Sequence, residues 1–493
     1  MKQINLLFFL FVALTIACCK PDDDLPDGNF PEAINTIIMK DCAVSGCHND
    51  ASHEAAGGLN LASWEKMFSA SSGGSAVVPF NSDHSFLTYY INRDPNTGPA
   101  LLPVMPYLRD PLSAEDVQMI RDWIDTGAPD KNGNIKFSNS TDPKLFLTNQ
   151  GCDLVSVIDL ATGRIARYIG VGLSSGVSEA PHNVKYNAAT DQWYTVFIDG
   201  TANPNLEVYS GSDFSLAKRI DIGDGDWNTV TVTNDGNYAY VAAINKEAFG
   251  GAGPGTVAVV DLSAGQLLMY LSGAPTSHGT AVSPNGSRLY VTQQLGDDLT
   301  WFDLSDPSSP ADPDVVDLDQ WSPQASSFNT HEVMFTSDGT KYIVTCQGTD
   351  EVRIFNTSND SLLAVIPVGN YPSEIAVSAS FPYAFVTCME DTNSFSGDPE
   401  KRGSVAVINT STLTLETTVY AGYQPHGIVV DEGSQRCYVA NRNTASTGPA
   451  PHHISGCGGR NGYLSFIDMT TLTVDPGYRM EVSVDPYSLA IKP

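Results

Sequence analysis

From about residue 144 the chain repeats a unit of four short, apolar strands. Each unit has a turn such as Asn234-Asp235-Gly236, then a strand containing Tyr-Val, and later a Val-x-Val-x-Asp strand such as 257–261. The units recur at a period of roughly 42–61 residues, and repeats of four strands at that spacing are typical of β-propellers. The sequence therefore predicts an all-β propeller over residues 144–493.

Counting the units predicts seven blades. The innermost strands begin near His182, Asn228, His278, His331, Ser373, His426 and Tyr487. The last unit reaches Pro493 after one strand, and the strands expected over 145–168 supply the rest of that blade. We therefore expect the two ends of the propeller to pair within one blade, which removes exposed strand edges. The amino-acid sequence of the repeats resembles that of the YVTN family of bacterial propellers.

Four of the units carry a histidine directly before the innermost strand. These histidines are His182, His278, His331 and His426. In a propeller such positions surround the mouth of the central channel. The loop between the second and third strands of the sixth unit carries His452 and His453, and this loop is expected on the same face.

Three interpretations of this histidine ring stay open. Converging imidazoles bind copper, zinc or iron. They also suit a second cofactor or a substrate. Alternatively, each histidine is an inherited copy of one ancestral turn and is hydrogen-bonded locally. The other units have Asn228, Ser373 and Tyr487 at this position, so the ring is incomplete.

A second feature lies near the N-terminus, in the stretch Cys42-Ala-Val-Ser-Gly-Cys47-His48. Two thiols followed at once by a histidine are typical of a c-type haem site, where the thiols add to the haem vinyl groups and the imidazole binds the iron. The common spacing places two residues between the cysteines, whereas here there are four. The alternative interpretation is a disulfide between Cys42 and Cys47 beside an unrelated His48.

Further motifs follow this stretch in a fixed order. They are Gly-Gly-Leu at 57–59, Val-Pro at 78–79, Met-Pro at 105–106 and Trp-Ile-Asp-Thr-Gly-Ala at 123–128. Together they resemble the small cytochrome c domains of the planctomycete-type family, over residues 32–129. The resemblance implies that Cys42 and Cys47 anchor haem c covalently and that His48 and Met105 are the two axial iron ligands. A methionine ligand of this kind raises the reduction potential.

The residues around the last of these motifs predict a helix. Ser113 is a suitable N-cap, and Glu115 and Asp116 supply negative charge to the first turn. Apolar residues then fall on one helical face that includes Trp123, and Gly127 is expected to end the helix. We therefore expect a small all-α domain before the propeller.

The first residues predict export. Lys2 precedes an apolar run over 6–17, which is too short to span a bilayer and is typical of a signal peptide. Small and apolar residues before Cys18 resemble a bacterial lipoprotein cleavage site, which implies lipidation of Cys18. We expect a membrane-anchored lipoprotein, either periplasmic or on the outer-membrane surface.

The net charge argues against one functional class, and the cysteines allow a disulfide. The formal net charge is −30, from 26 basic and 56 acidic residues, which argues against binding to nucleic acid. The chain has nine cysteines, and an exported chain permits disulfides. Cys152 and Cys457 fall in equivalent loops of adjacent blades, so we predict a disulfide between them.

These observations predict a multidomain chain, in which a small all-α cytochrome c-like domain precedes an all-β seven-bladed propeller. The expected segments are a signal peptide over 1–18, an acidic tether over 19–31, the cytochrome domain over 32–129, a linker over 130–143 and the propeller over 144–493. The predicted function is electron transfer through one haem c to a redox partner protein, with the propeller as a docking or reaction platform. Two alternatives are a haem-free surface-binding propeller and a propeller oxidoreductase with a His-ligated copper or zinc.

Overall fold

The protein is described by a computed structural model. The described residues are 25–69, 75–173, 176–199, 203–244, 256–311, 313–320, 327–398, 400–453 and 455–493. The predicted signal peptide and the lipidation site Cys18 lie outside these residues. Within the described part of the chain, no helix is both long and apolar enough to cross a membrane.

The N-terminal part of the chain is a small helical module. Its α-helices are α1 Glu32–Ile37, α2 Trp64–Met67, α3 Phe86–Ile91 and α4 Ala114–Asp125. Shorter helical turns are Ile38–Cys42, His53–Ala56, Ser82–His84 and Pro95–Thr97. As predicted, the Ser113 hydroxyl caps α4 by accepting a hydrogen bond from the Asp116 amide at 3.1 Å. Helix α4 buries Ile120, Trp123 and Ile124 in the module core.

The rest of the chain forms seven antiparallel sheets, the blades of the predicted propeller. The strands are β1 Lys144–Asn149, β2 Leu154–Asp159, β3 Arg164–Gly170, β4 Pro181–Asn187, β5 Gln192–Phe197, β6 Asn205–Ser210, β7 Leu216–Asp221, β8 Asp226–Val232, β9 Tyr238–Ile244, β10 Thr256–Asp261, β11 Gln266–Leu271, β12 Ser277–Val282, β13 Arg288–Gln293, β14 Leu299–Asp303, β15 Asp314–Val316, β16 Thr330–Phe335, β17 Lys341–Cys346, β18 Glu351–Asn356, β19 Leu362–Pro367, β20 Pro372–Val377, β21 Tyr383–Cys388, β22 Ser404–Asn409, β23 Thr414–Val419, β24 Pro425–Asp431, β25 Arg436–Asn441, β26 Asn461–Asp468, β27 Thr473–Val474, β28 Met480–Val484 and β29 Pro486–Lys492.

We number the blades by the order of their innermost strands along the chain. Blades 1 to 5 each take four consecutive strands, starting from β4, β8, β12, β16 and β20. Blade 6 takes β24 to β27, with β28 paired to β26 as an additional strand. Blade 7 has the order β29, β1, β2 and β3 from the inside outwards, so the two ends of the propeller pair as predicted.

Each pair of neighbouring blades shares a buried apolar cluster. Between blades 7 and 1, the Trp193 ring of blade 1 stacks on Phe146 of blade 7 with centroids 5.3 Å apart; it also stacks on Tyr209 of its own blade at 4.0 Å. The core of the helical module is continuous with the apolar cluster between blades 7 and 1. The two modules therefore share one apolar core.

The helical module packs against the outer strand of blade 7. The Arg167 guanidinium on β3 lies over the Phe80 ring at 4.7 Å, and Arg164 donates a hydrogen bond to the Ser69 carbonyl at 3.1 Å. Phe137, within the segment predicted as a linker, is buried and packs edge-on against Phe68 at 5.7 Å. These contacts fix the helical module on one side of the propeller.

Cys152 and Cys457 form a disulfide in the structure, and their Cα atoms are 5.6 Å apart. Cys152 lies in the loop between β1 and β2, and Cys457 lies in the loop between β25 and β26. The bond therefore joins blades 7 and 6 beside the strand pairing that closes the propeller.

Candidate functional site

The helical module contains a largely apolar cavity of about 420 Å³. Its lining residues are Cys42, His48, Ala56, Gly57, Leu59, Leu61, Ala76, Phe86, Leu87, Tyr90, Ile91, Pro103, Met105, His452 and His453. Three of the four residues predicted to hold haem are therefore brought together: Cys42, His48 and Met105. Cys47 is half-buried beside His48 in the chain and is not among the lining residues.

The chain after the π-helical turn Ile38–Cys42 folds back so that His48 reaches the cavity. The His48 amide donates a hydrogen bond to the Cys42 carbonyl at 3.1 Å, and the Leu61 amide donates to the His48 carbonyl at 2.8 Å. These two bonds hold the Cys-to-His segment as a closed loop. The wide spacing between the cysteines is thus accommodated by local backbone hydrogen bonds.

The His48 ring has a defined tautomer. Its Nδ1 atom lies 3.0 Å from the Leu59 carbonyl oxygen, which can only accept, so Nδ1 carries the proton. Burial lowers the pKa of His48, which favours the neutral imidazole. The lone pair on Nε2 is therefore available to a metal, and a hydrogen bond of this kind orients a ligating histidine.

The predicted thioether cysteines are both free thiols in the structure. Burial, followed by the negative charge of Asp41, raises the pKa of Cys42 to about 12. The Cys42 side chain is therefore a protonated thiol at neutral pH, enclosed by apolar residues.

Met105 reaches the same cavity from the loop between α3 and α4. Its amide donates a hydrogen bond to the Tyr90 carbonyl at 2.8 Å, which ties this loop to the end of α3. The side chain is half-buried and packs against the module core. The two predicted axial ligands, His48 and Met105, thus face one cavity from separate segments.

The propeller contributes part of the cavity wall. His452 and His453 lie in the loop between β25 and β26, and the His453 ring stacks on Phe86 with centroids 3.6 Å apart. The sequence predicts these two histidines on the same face of the propeller as the channel histidines. Their role beside the helical module was missed because the contact joins residues far apart in the chain.

The four predicted channel histidines do converge, and each is buried. Consecutive ring centroids are 5.9 Å apart for His182 and His278, 3.9 Å for His278 and His331, and 5.6 Å for His331 and His426. Tyr487 closes the circle, at 3.7 Å from His426 and 4.2 Å from His182. Tyr487, one of the three aligned positions without a histidine, therefore forms a closed circle of rings with the four histidines.

Hydrogen bonds distinguish three of the four imidazoles. The Nδ1 atom of His278 donates to the His331 carbonyl at 3.1 Å, and that of His426 donates to the Tyr487 carbonyl at 3.2 Å. Both leave a lone pair on Nε2. The Nδ1 atom of His182 instead accepts from the Gln150 amide at 2.5 Å, so its Nε2 carries the proton. His182 is therefore the least suited of these three to bind a cation.

The channel also holds buried carboxyl groups that the sequence analysis did not single out. Potential ligand atoms of His331, Glu374 and His426 all lie within 4.8 Å of one another. Burial raises the pKa of Glu374 and lowers those of His331 and His426 well below the usual range. Such a set offers neutral imidazoles and one carboxyl to a cation.

A register shift typical of a β-bulge lies at the strand positions that carry His331 and Glu374. The register of β16 against β17 shifts between Thr330 and Val333, and that of β20 against β21 shifts between Pro372 and Ile375. A bulge re-aims side chains at the point of the extra residue. In sequence, Glu374 directly follows Ser373, the residue aligned with the histidines of the other blades. Examining the residue after each aligned position is therefore the signal that could have found Glu374.

Comparisons with known proteins support two modules. A family model described as planctomycete cytochrome C matches residues 45–99. That range includes Cys47 and His48, while Cys42 precedes it and Met105 follows it. No curated protein matches the chain.

Two solved structures are similar to part of the chain. A functionally unknown protein from Desulfotomaculum acetoxidans DSM 771 is 12% identical with a TM-score of 0.53, covering 71% of this chain and 98% of that one. AztD from Citrobacter koseri is 13% identical with a TM-score of 0.45, over 71% of this chain and 98% of its own. At such identity the first likeness shows the fold alone. The chain thus joins a cytochrome c-like module to a seven-bladed propeller.

Proposed function

We propose that this protein transfers electrons through one covalently held haem c in the helical module. The observation that carries the proposal is the convergence of Cys42, His48 and Met105 on one apolar cavity of about 420 Å³. This cavity lies in the module whose sequence matches a cytochrome c family over residues 45–99. An apolar cavity of this size with a few placed polar groups is a typical cofactor site.

The residues present fit haem c. When bound, haem c supplies a one-electron iron couple. Cys42 and Cys47 would anchor it through thioethers, and His48 would bind the iron through Nε2, since Nδ1 is held by the Leu59 carbonyl. Met105 would supply a second iron ligand from a separate segment. The largely apolar lining would place the haem in a low-dielectric environment, which raises the reduction potential further.

This ligand set favours electron transfer over catalysis at the iron. His48 and Met105 would both serve as iron ligands, so a substrate would have to displace one of them to reach the iron. We therefore propose that the module exchanges electrons with a redox partner protein. We also propose that the chain is an exported lipoprotein anchored at Cys18, a role supported by its N-terminal sequence.

We expect Met105→Ala to keep covalent haem but to lose methionine ligation. The weak absorption band of a methionine-bound ferric haem, near the red end of the visible spectrum, should disappear, and the midpoint potential should fall. Met119→Ala is a matched control, because Met119 is also half-buried against the module core but does not line the cavity. An unchanged band and potential in Met105→Ala would remove Met105 from the ligand set.

A second candidate function is favoured by the channel cluster. We propose that His331, Glu374 and His426 bind a divalent cation such as zinc or copper, since two imidazoles and one carboxylate are a common ligand set for such ions. If this metal is redox-active, the propeller would be the reaction platform and haem its electron relay.

Zinc titration of the metal-free full chain tests the channel site. We expect stoichiometric binding that weakens by about a hundredfold or more in His331→Ala, because loss of even an outer-shell partner weakens metal sites 10–100-fold. His182→Ala is the control, since its Nδ1 accepts from Gln150 and it is outside the cluster. Equal affinities in the two variants would argue for inherited, locally bonded histidines.

A further inference from the structure

The loop between β25 and β26 of the propeller reaches into the cavity of the helical module. The His453 ring stacks on Phe86 with centroids 3.6 Å apart and an interplanar angle of 25°. His453 also lies edge-on to Tyr90 at 6.3 Å. Phe86, Tyr90 and His453 all line the cavity that holds Cys42 and Met105. One wall of the cavity is therefore supplied by the propeller.

A buried carboxylate fixes this part of the loop. The Glu481 side chain is 6% exposed and accepts hydrogen bonds from the His452 amide at 2.6 Å and the His453 amide at 3.0 Å. The Asn461 side chain donates to the same carboxylate at 2.8 Å and to the His453 carbonyl at 3.2 Å. Hydrogen bonds to a carboxylate are stronger than those between neutral groups. The backbone at His452 and His453 is therefore held firmly.

The loop is also fixed on either side of the two histidines. Arg460 donates a hydrogen bond to the Pro449 carbonyl at 2.7 Å, and Cys457 is bound to Cys152 by the disulfide. Gly456 approaches the helical module so closely that a Cβ atom there would lie 3.3 Å from the Asp83 carbonyl oxygen. The loop thus approaches the helical module at His453 and Gly456 and is anchored to the propeller on either side of them.

We infer that the haem site belongs to both modules, and that His453 is a positioning residue of the haem pocket. Its ring stacks on Phe86 and forms part of the pocket wall, so it would shield bound haem iron from water and small anions. The inference rests on the proposed function. It makes the propeller part of the redox centre, beyond its role as a docking platform.

The test uses the full chain loaded with haem, and haem content is measured first. In the ferric Met105→Ala protein, whose sixth position is open, we expect His453→Ala to speed cyanide binding by about tenfold or more, in line with outer-shell effects. In the chain with Met105 present, His453→Ala should lower the midpoint potential, because water access stabilises the more positively charged ferric state.

Two further variants distinguish the loss of the pocket wall formed by His453 from a general loss of structure. Glu481→Gln leaves His453 in place but weakens its anchor, and should shift both readouts in the same direction. His53→Ala is the control, because its side chain is 23% exposed in the helical module and does not line the cavity. Cyanide rates within twofold and unchanged potentials in both His453→Ala and Glu481→Gln, with haem bound, would overturn the inference alone. A chain without haem would overturn the proposed function together with it.

Discussion

Changing Cys42 and Cys47 together to serine is expected to abolish covalent haem attachment. Serine hydroxyls do not form the thioethers that hold haem c, so any haem that still enters the cavity will be lost on denaturation. The measurement is haem staining of the full chain after a denaturing gel. We expect a clear stained band for the parent chain and none for the double variant.

A second cysteine pair provides the matched control for this experiment. Cys152→Ser with Cys457→Ser removes the propeller disulfide, and the cavity lining contains neither residue. That variant should stain like the parent. Equal staining of the Cys42 and Cys47 double variant would show that haem is attached covalently at another position, and would contradict the assignment of these cysteines.

Lys144→Ala is expected to destabilise the propeller by about 3–5 kcal/mol, because it leaves a buried carboxylate without its cationic partner. Lys144 on β1 is fully buried, and its Nζ atom lies 2.9 Å from Oδ2 of Asp159, which is also buried. The two residues are direct cross-strand partners in blade 7. The pair therefore supports the blade in which the ends of the propeller meet.

Urea unfolding of the full chain, followed by tryptophan fluorescence, measures this effect. Lys66→Ala is the control, because its ion pair with Asp50 is exposed, with side chains 46% and 61% accessible. An exposed pair of this kind contributes within about 1 kcal/mol. If the two variants lost the same stability, closure of blade 7 would not depend on the buried pair.

The propeller was predictable from sequence because its local patterns repeat. The turn at Asn234-Asp235-Gly236 and the Tyr-Val strands recur in several blades, and each copy gives the same information about strand order. The pairing of β29 with β1 also followed, since a closed sheet needs partners for both ends. The predicted helix after Ser113 is correct because its cap and its apolar face are local features.

The sites were less predictable where they depend on contacts between distant segments. Glu374 lies beside His331 and His426 at a bulge in β20, and strict alternation along a strand does not predict where a residue in a bulge points. His453 meets Phe86 because the helical module packs on blade 7 and the neighbouring loop. Neither the docking of the two modules nor the path of that loop is encoded in a local pattern.

The most direct test of the central proposal is a pyridine haemochrome spectrum of the purified full chain, produced together with haem-maturation machinery. We predict the spectrum of a c-type haem at one haem per chain. A colourless protein in which Cys42 and Cys47 are joined by a disulfide would contradict electron transfer through haem. In that case the alternative interpretation of the sequence, a surface-binding propeller, would take its place.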